Sequence, residues 1–156
     1  MPLTDVAPIQ ATLDIAAPPA RVWALVSDLR NMSRWSPQTA KSFLRGPNGL
    51  GARFLNVNRK GLLVWPTRSK VVRFEEGVEI AWRVKENFTI WSLRLEPLPD
   101  GGTRLVQVRE APDGISDVSV KATNVAFGGV PSFTRTLEHD MGLTLERIKA
   151  EAEAGA

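Results

Sequence analysis

The sequence predicts a single α+β domain over residues 1–156, in which a curved antiparallel sheet wraps around one long C-terminal helix. Two patterns predict this architecture. Seven segments have the alternating or apolar character of strands, and the short turns that join the last six require antiparallel pairing. The end of the chain instead carries one apolar stripe at helical spacing, which predicts a helix with one buried face.

The N-terminal part predicts one strand followed by two short helices. Residues 9–15 alternate apolar and polar side chains, as a half-buried strand does. Pro18 and Pro19 end this strand and favour the first turn of a helix. Apolar residues at helical spacing predict that helix over 20–29, and residues 31–35 predict the second, which ends before the next proline.

Six further strands are predicted between turns rich in glycine, proline, asparagine and aspartate. They cover residues 38–45, 52–58, 62–74, 78–84, 88–96 and 103–110. Pro66 lies inside the longest of them. Because proline has no N–H to donate to a ladder, we expect a bulge or an edge position there.

The tail predicts a helix of about 20 residues that begins near Pro131. Its apolar stripe consists of Phe133, Leu137, Met141, Leu145, Ile148 and Ala152. Residues 111–130 predict no continuous element, since two adjacent glycines interrupt them. One helix cannot fully cover seven strands, so a curved sheet and the helix stripe would enclose an apolar volume of the kind that binds ligands.

The amino-acid composition excludes or disfavours several kinds of catalytic and metal site. The chain contains no cysteine, which excludes disulfides and thiolate metal sites. Its single histidine, His139, lies two positions from both Leu137 and Met141, so we expect it to face solvent rather than to act in a triad. We therefore expect no metal and no cofactor.

The charge distribution and the hydropathy pattern indicate which classes of binding partner to expect. The net charge of +3 is spread along the chain, which does not favour nucleic acid. No apolar run approaches the ~18 residues of a membrane span, so we expect no stable membrane insertion. No signal peptide is recognisable at the start, so we expect a cytoplasmic protein. A homodimer is possible, but no residue pattern indicates one.

Several local motifs resemble the polyketide cyclase/dehydrase and lipid-transport family, within the START-like, or Bet v 1-like, helix-grip superfamily (SRPBCC). The motifs lie at residues 15–28, 32–37, 51–54, 58–59, 65, 69–71, 81–82, 101–104 and 144–149, and the resemblance covers nearly the whole chain. It implies a seven-stranded curved sheet around a long C-terminal helix, with two short helices after the first strand. It does not imply one activity, because members include carriers, hormone receptors, allergens and aromatase/cyclases.

The resemblance also suggests which face of each strand lines the ligand space. The ligand-binding candidates are Phe54, Asn58, Trp65, Thr67, Trp82, Trp91, Gln107 and Arg109 on the sheet, with Phe133, Leu137 and Met141 on the helix. A shift of one residue would exchange the whole set, and in the last strand it would bury Val106 and Val108 instead.

Some candidates have a second interpretation. An inward Arg109 would need an acidic partner, water or an anionic ligand group, and we favour the alternative that it lies at the strand end and reaches solvent. For Asn58 we favour a turn position. Phe133 and Met141 are more often packing residues than ligand contacts.

Three functions are compatible with this pattern. The first is binding or transport of a small hydrophobic ligand, such as a lipid, fatty acyl or polyketide-like compound. The second is an enzyme acting on such a compound as an aromatase/cyclase or dehydratase, with Arg109 and Glu110, or Arg83, stabilising an enolate. The third is a protein-interaction module with a filled core and no ligand.

Overall fold

The computed structural model describes residues 7–116, residue 119 and residues 130–155, without the side chains of 130–133. The strands are β1 (Ile9–Ile15), β2 (Thr39–Arg45), β3 (Arg53–Lys60), β4 (Leu63–Glu75), β5 (Glu79–Val84), β6 (Ile90–Pro97) and β7 (Thr103–Glu110). The helices are α1 (Pro19–Val26), a 3₁₀ turn (Leu29–Asn31), α2 (Met32–Trp35) and α3 (Val130–Ala154).

The strands form one antiparallel sheet in the order β1-β7-β6-β5-β4-β3-β2. Each strand from β2 to β7 pairs with its neighbour in sequence. Strand β1 pairs with β7, so β1 and β2 are the two edge strands. The α+β fold predicted from the sequence, with its long C-terminal helix and two short helices after β1, is confirmed. We call the face of the sheet towards α3 the inner face and the opposite one the outer face.

Several element boundaries differ from the prediction by a few residues, and two of the differences have a local reason. The first helix ends at Val26 because Asp28 takes an extended conformation and its Oδ1 accepts a hydrogen bond from the Arg30 N–H at 3.0 Å, which starts the 3₁₀ turn. Phe88, expected in a strand, has a φ of 71° in the turn between β5 and β6. This left-handed conformation is uncommon for a bulky side chain and is a point of backbone strain.

For Pro66 the sequence predicted a bulge or an edge position, and the structure has the edge position. Strand β5 pairs with β4 only from Ser69 onwards, so the half of β4 that contains Pro66 has β3 on one side alone. The missing N–H therefore costs no ladder hydrogen bond.

The inner-face register expected from the resemblance is the one observed. In β7, Thr103, Leu105, Gln107 and Arg109 are all buried. Val106 is also buried, on the outer face, so burial alone would not have decided the register of this strand.

The two halves of helix α3 contribute to different hydrophobic clusters. Leu145, Ile148 and Ala152 belong to the main hydrophobic core, whereas Leu137 and Met141 form a smaller cluster with Ile9. The residues predicted to lack a continuous element, 111–130, fall mostly outside the described residues. None of the described helices combines the length and apolarity that a membrane crossing requires.

Candidate functional site

A cavity of about 160 Å³ lies between the inner face of the sheet and the N-terminal half of α3. Helix α2, the 3₁₀ turn and the start of β2 form its near side, and β3 to β7 form its floor. It is lined by Leu29, Met32, Ser36, Gln38, Thr39, Asn56, Asn58, Trp65, Thr67, Ser69, Trp82, Val84, Asn87, Thr89, Trp91, Gln107, Arg109, Leu137, Asp140, Met141 and Thr144. Polar residues outnumber apolar ones, so the lining is more polar than the sequence suggested.

Nine of the eleven ligand-binding candidates line this cavity. Phe54 does not: its side chain is 1% exposed and packs in the main core, beside the other half of α3. Asn58, near the other end of β3, faces the same way and does line the cavity, so inward-facing residues at the two ends of the strand have different surroundings. The side chain of Phe133 lies outside the described part of the chain. The ligand-binding role of the other nine remains a prediction.

The sequence analysis did not single out several lining residues. Gln38, Thr39 and Asn87 lie at strand ends or turns, where alternation gives no direction. Asp140 and Thr144 could have been found, because they lie three and seven positions after Leu137 and so share its face of the helix.

The part of the cavity wall on β2, β3 and β4 is internally hydrogen bonded. Asn56 accepts from Ser42 Oγ at 2.8 Å and donates through Nδ2 to Ser69 Oγ at 2.9 Å. Asn58 donates through Nδ2 to Thr67 Oγ1 at 2.9 Å and to the Trp65 carbonyl at 3.2 Å. The turn position we favoured for Asn58 is therefore wrong: it is a buried residue of β3 whose amide group joins two strands.

On the opposite wall, formed by β7, some buried polar atoms have no hydrogen-bond partner among the described residues. Gln107 and Arg109 are 2% and 5% exposed, and both line the cavity from the same face of the strand. Within the described part of the chain, Gln107 Oε1 and Arg109 Nε are each buried without a hydrogen-bond partner. Buried polar groups are nearly always paired, so an acceptor and a donor left open on one wall are an unusual feature of this cavity.

Our expectation that Arg109 reaches solvent is wrong. Strand β7 lies between β1 and β6, and the Cα partners of Arg109 are Ile9 and Trp91, so apolar neighbours flank it on both sides. Burial lowers the pKa of the Arg109 guanidinium. The group nevertheless stays charged, because arginine is not deprotonated in proteins, and it presents a desolvated cation to the cavity.

The aromatic residues adjoin this cation. Trp82 pairs with Trp91 across β5 and β6, and Trp91 pairs with Arg109 across β6 and β7, so all three form one row on the inner face. Trp65 contributes a third indole on β4. Among the described lining residues, the cavity thus combines flat apolar surfaces with one charged donor at the end of a row.

Asp140 brings a carboxylate to the same cavity from α3. It is half-buried, and its Oδ2 accepts a hydrogen bond from Gln38 Nε2 at 3.0 Å. Asp140 therefore places a carboxylate on the cavity wall with a hydrogen bond that fixes its position.

The other acid–base candidates lie elsewhere. Glu110 and Arg83 are on the outer face: Arg83 Nη1 is 2.5 Å from Asp113 Oδ2, and Glu110 Oε1 is 3.7 Å from Arg73. Neither can stabilise an enolate in the cavity, so those two predictions are wrong. His139 is exposed, as the helical spacing predicted.

Comparison with solved structures finds the same fold in proteins of low sequence identity. TTHA0849 from Thermus thermophilus is 14% identical with a TM-score of 0.73, over 96% of this chain and 99% of the other. The di-domain ARO/CYC StfQ from the steffimycin biosynthetic pathway is 16% identical with a TM-score of 0.73, over 96% of this chain. This chain spans about half, 52%, of StfQ. The Aha1 dimer from Colwellia psychrerythraea is 15% identical with a TM-score of 0.65, over 96% of this chain and 98% of the other.

None of the curated proteins matches the sequence significantly. The family model described as polyketide cyclase / dehydrase and lipid transport matches residues 7–153, which include every described strand and all but the end of α3. The chain therefore belongs to the polyketide cyclase/dehydrase and lipid transport family.

Proposed function

We propose that this chain binds a small amphipathic molecule, polyketide-like or acyl in character, in the cavity between the sheet and α3. The apolar body of the ligand lies on Trp65, Trp82 and Trp91, and a carboxylate, enolate or phenolate oxygen accepts hydrogen bonds from Arg109. The observation that carries the proposal is the Nε of Arg109, which has no partner among the described residues although the side chain is only 5% exposed on the cavity wall.

The energetic reason is that a buried charge without a partner is costly. A charge transferred from water to a protein interior keeps its ionised form at a penalty of several kcal/mol unless a counter-charge and hydrogen bonds offset it. No described carboxylate forms an ion pair with Arg109. An anionic ligand would supply the missing charge, and bonds between a guanidinium and an oxyanion are short and strong.

The cavity volume selects among ligands of this class. Pockets for drug-sized ligands measure about 300–1,000 Å³. A cavity of about 160 Å³ suits a compact molecule, such as one or two fused rings, better than a long acyl chain. Its many hydrogen-bonding residues also favour a ligand with several oxygens over a pure hydrocarbon.

A titration with matched ligands tests the proposal. Tryptophan fluorescence would be followed during addition of 2-naphthoic acid and of 2-naphthalenemethanol, which differ mainly in charge, and native mass spectrometry would count the bound molecules. We expect the acid to bind more tightly to the natural protein. We expect Arg109→Gln to raise its Kd about 10- to 100-fold while changing that of the alcohol little.

The control variant is Arg94→Gln, which removes an exposed arginine from the outer face of the adjacent strand β6. It should bind both compounds as the natural protein does. Equal affinity of the natural protein for acid and alcohol, or no saturable binding of either, would contradict the proposal.

A second candidate function is catalysis of a cyclisation or dehydration, and Asp140 is the observation that favours it. The described lining includes a carboxylate that could move a proton and a cation that could stabilise a developing oxyanion, the two groups that such a reaction requires. Asp140→Asn separates the two functions. It should leave binding of 2-naphthoic acid unchanged, and it should abolish turnover of a linear poly-β-ketone thioester if the chain is an enzyme.

The third hypothesis, an interaction module with a filled core, is not favoured. The tryptophans leave a cavity open rather than closing it, and polar atoms on its wall lack partners among the described residues.

A further inference from the structure

Four cations form a continuous row across the outer face of the sheet. The Cα partners are Arg45 with Arg53 between β2 and β3, Arg53 with Lys70 between β3 and β4, and Lys70 with Arg83 between β4 and β5. With strands about 4.8 Å apart, the row is about 14 Å long. Like charges directly opposite each other on neighbouring strands destabilise a sheet. Three such pairs in succession indicate that the row serves something other than stability.

The row lies in a groove rather than on a flat surface. The groove has a volume of about 640 Å³, within the range of small-molecule sites. It is lined by Arg45, Arg53, Phe54, Leu55, Arg68, Ser69, Lys70, Val72, Arg83, Lys85 and Phe88. Six of these residues are cationic, and Leu55, Val72 and Phe88 provide apolar surface between them. Of the residues that the structure describes, no acidic one belongs to the lining.

Most of this charge is not neutralised. Arg68 Nε is 2.7 Å from Glu86, and Arg83 is paired with Asp113. Over the described ranges of the chain, no carboxylate forms an ion pair with the other four groove cations, Arg45, Arg53, Lys70 and Lys85. These four side chains are exposed, so their charged groups are available to a ligand.

One end of the groove carries an aromatic ring in a strained position. Phe88 has the left-handed φ of 71°, and the Arg83 guanidinium lies 5.8 Å from the centre of its ring. Strained backbone of this kind is concentrated at functional sites, and a ring beside a guanidinium offers a surface on which a planar group can stack.

We propose that this groove binds a small organic polyphosphate, a molecule with two or three linked phosphates and a planar or apolar portion. The phosphates lie along the row from Arg53 to Arg83, and the planar portion lies against Phe88. The four cations of the row are on the face opposite the cavity, although Ser69 belongs to both linings, and binding in the groove does not require the ligand proposed for the cavity. The bounded groove and its apolar patches favour a compact ligand over an extended polyanion or a lipid surface.

Isothermal titration with pyrophosphate and with ATP, both without metal ions, tests the proposal. We expect one saturable site for each, with ATP the tighter because its base can stack. We expect Arg53→Gln to raise both Kd values about 10-fold, and the double variant Arg53→Gln/Lys70→Gln to abolish binding. The matched control is Arg59→Gln, an exposed cation at the other end of β3 and outside the groove, which should change neither Kd more than about 2-fold.

A stability measurement keeps the test independent of folding defects. Because Lys70→Gln relieves two like-charge pairs, its melting temperature without ligand should be higher than that of the natural protein by up to about 4 °C. Pyrophosphate should raise the melting temperature of the natural protein and not that of the double variant.

Three results would overturn the proposal. The first is no saturable binding of pyrophosphate or ATP. The second is an equal loss of affinity in Arg53→Gln and Arg59→Gln, which would indicate general attraction by net charge. The third is binding to vesicles of phosphatidylserine in sedimentation without binding of either soluble compound, which would make the row a lipid-facing surface and not a small-molecule site.

Discussion

Replacing the buried arginine of the cavity by an apolar residue should make the unliganded protein more stable. Arg109→Met keeps most of the aliphatic stem that packs between Ile9 and Trp91, and it removes a guanidinium whose Nε has no partner among the described residues. An unsatisfied buried donor costs about 1–3 kcal/mol. Since the side chain retains 5% exposure, we expect a gain at the lower end, about 1–2 kcal/mol.

This gain corresponds to a melting temperature about 2–8 °C higher for a domain of this size. Urea unfolding should show a higher midpoint with an unchanged slope, because the surface exposed on unfolding hardly changes. Arg94→Met on the outer face of β6 is the control and should stay within about 0.5 kcal/mol of the natural protein. The same Arg109→Met protein should lose its preference for 2-naphthoic acid.

A loss of stability above about 1 kcal/mol in Arg109→Met would refute the reasoning. It would mean that the guanidinium is satisfied in the unliganded protein, and the case for an anionic ligand group would fail with it. A gain in stability together with lost binding would identify Arg109 as a residue that serves binding at the expense of stability.

Two further predictions concern the scaffold. In Gly102→Ala the new Cβ would lie 2.7 Å from the backbone oxygen of Ile15, so we expect the free energy of unfolding to fall by about 1–3 kcal/mol. In Gly142→Ala on α3 the new Cβ meets open space, and we expect a rise of about 0.5–1 kcal/mol. Urea unfolding compares the two variants, and equal effects would contradict the packing argument. The hydrogen bonds from Arg34 lower the pKa of the Glu151 carboxyl, so this pair stabilises the fold fully above the unfolded-state pKa of about 4.5 and loses its contribution as pH falls through the lower folded-state pKa. Because both side chains are partly exposed, Glu151→Gln should cost only about 0.5–1 kcal/mol at pH 7 and nothing at pH 2, and a cost that persists at pH 2 would show that the carboxylate charge is not the cause.

Local pattern was sufficient for most of the elements, but the inner faces of the strands came from the resemblance to the family. Period-two alternation in β7 allows two registers, and the resemblance selected the one that places Gln107 and Arg109 on the cavity wall. The helical spacing of Leu137 and Met141 placed those two residues from pattern alone. Phe54 follows the same alternation and faces inwards as expected, but it is buried in the main hydrophobic core and not on the cavity wall. Alternation indicates which face a side chain occupies and carries no information on whether that face is filled.

Missed residues show where local pattern ends. Asp140 was not among the candidates predicted from the sequence, although its spacing from Leu137 puts it on the cavity side of α3. Its placement is tolerated because Gln38, more than a hundred positions earlier, donates a hydrogen bond to it. A partner so distant in sequence is not visible in the pattern of either segment.

The amino-acid sequence by itself determined the α+β class, the antiparallel pairing of the last six strands and the one-sided burial of the C-terminal helix, since all three follow from short-range periodicity and turn chemistry. The pairing of β1 with β7 was decided by the tertiary structure. Only the tertiary structure decided that Arg109 is buried, because its exposure depends on β1 and β6 closing around β7. Tertiary structure likewise aligned Arg45, Arg53, Lys70 and Arg83 into one row. Each of the four strands supplies one cation to this row, and only the pairing register brings the four together. Both candidate binding sites therefore depend on strand pairing, which is a long-range property that no single segment of the chain specifies.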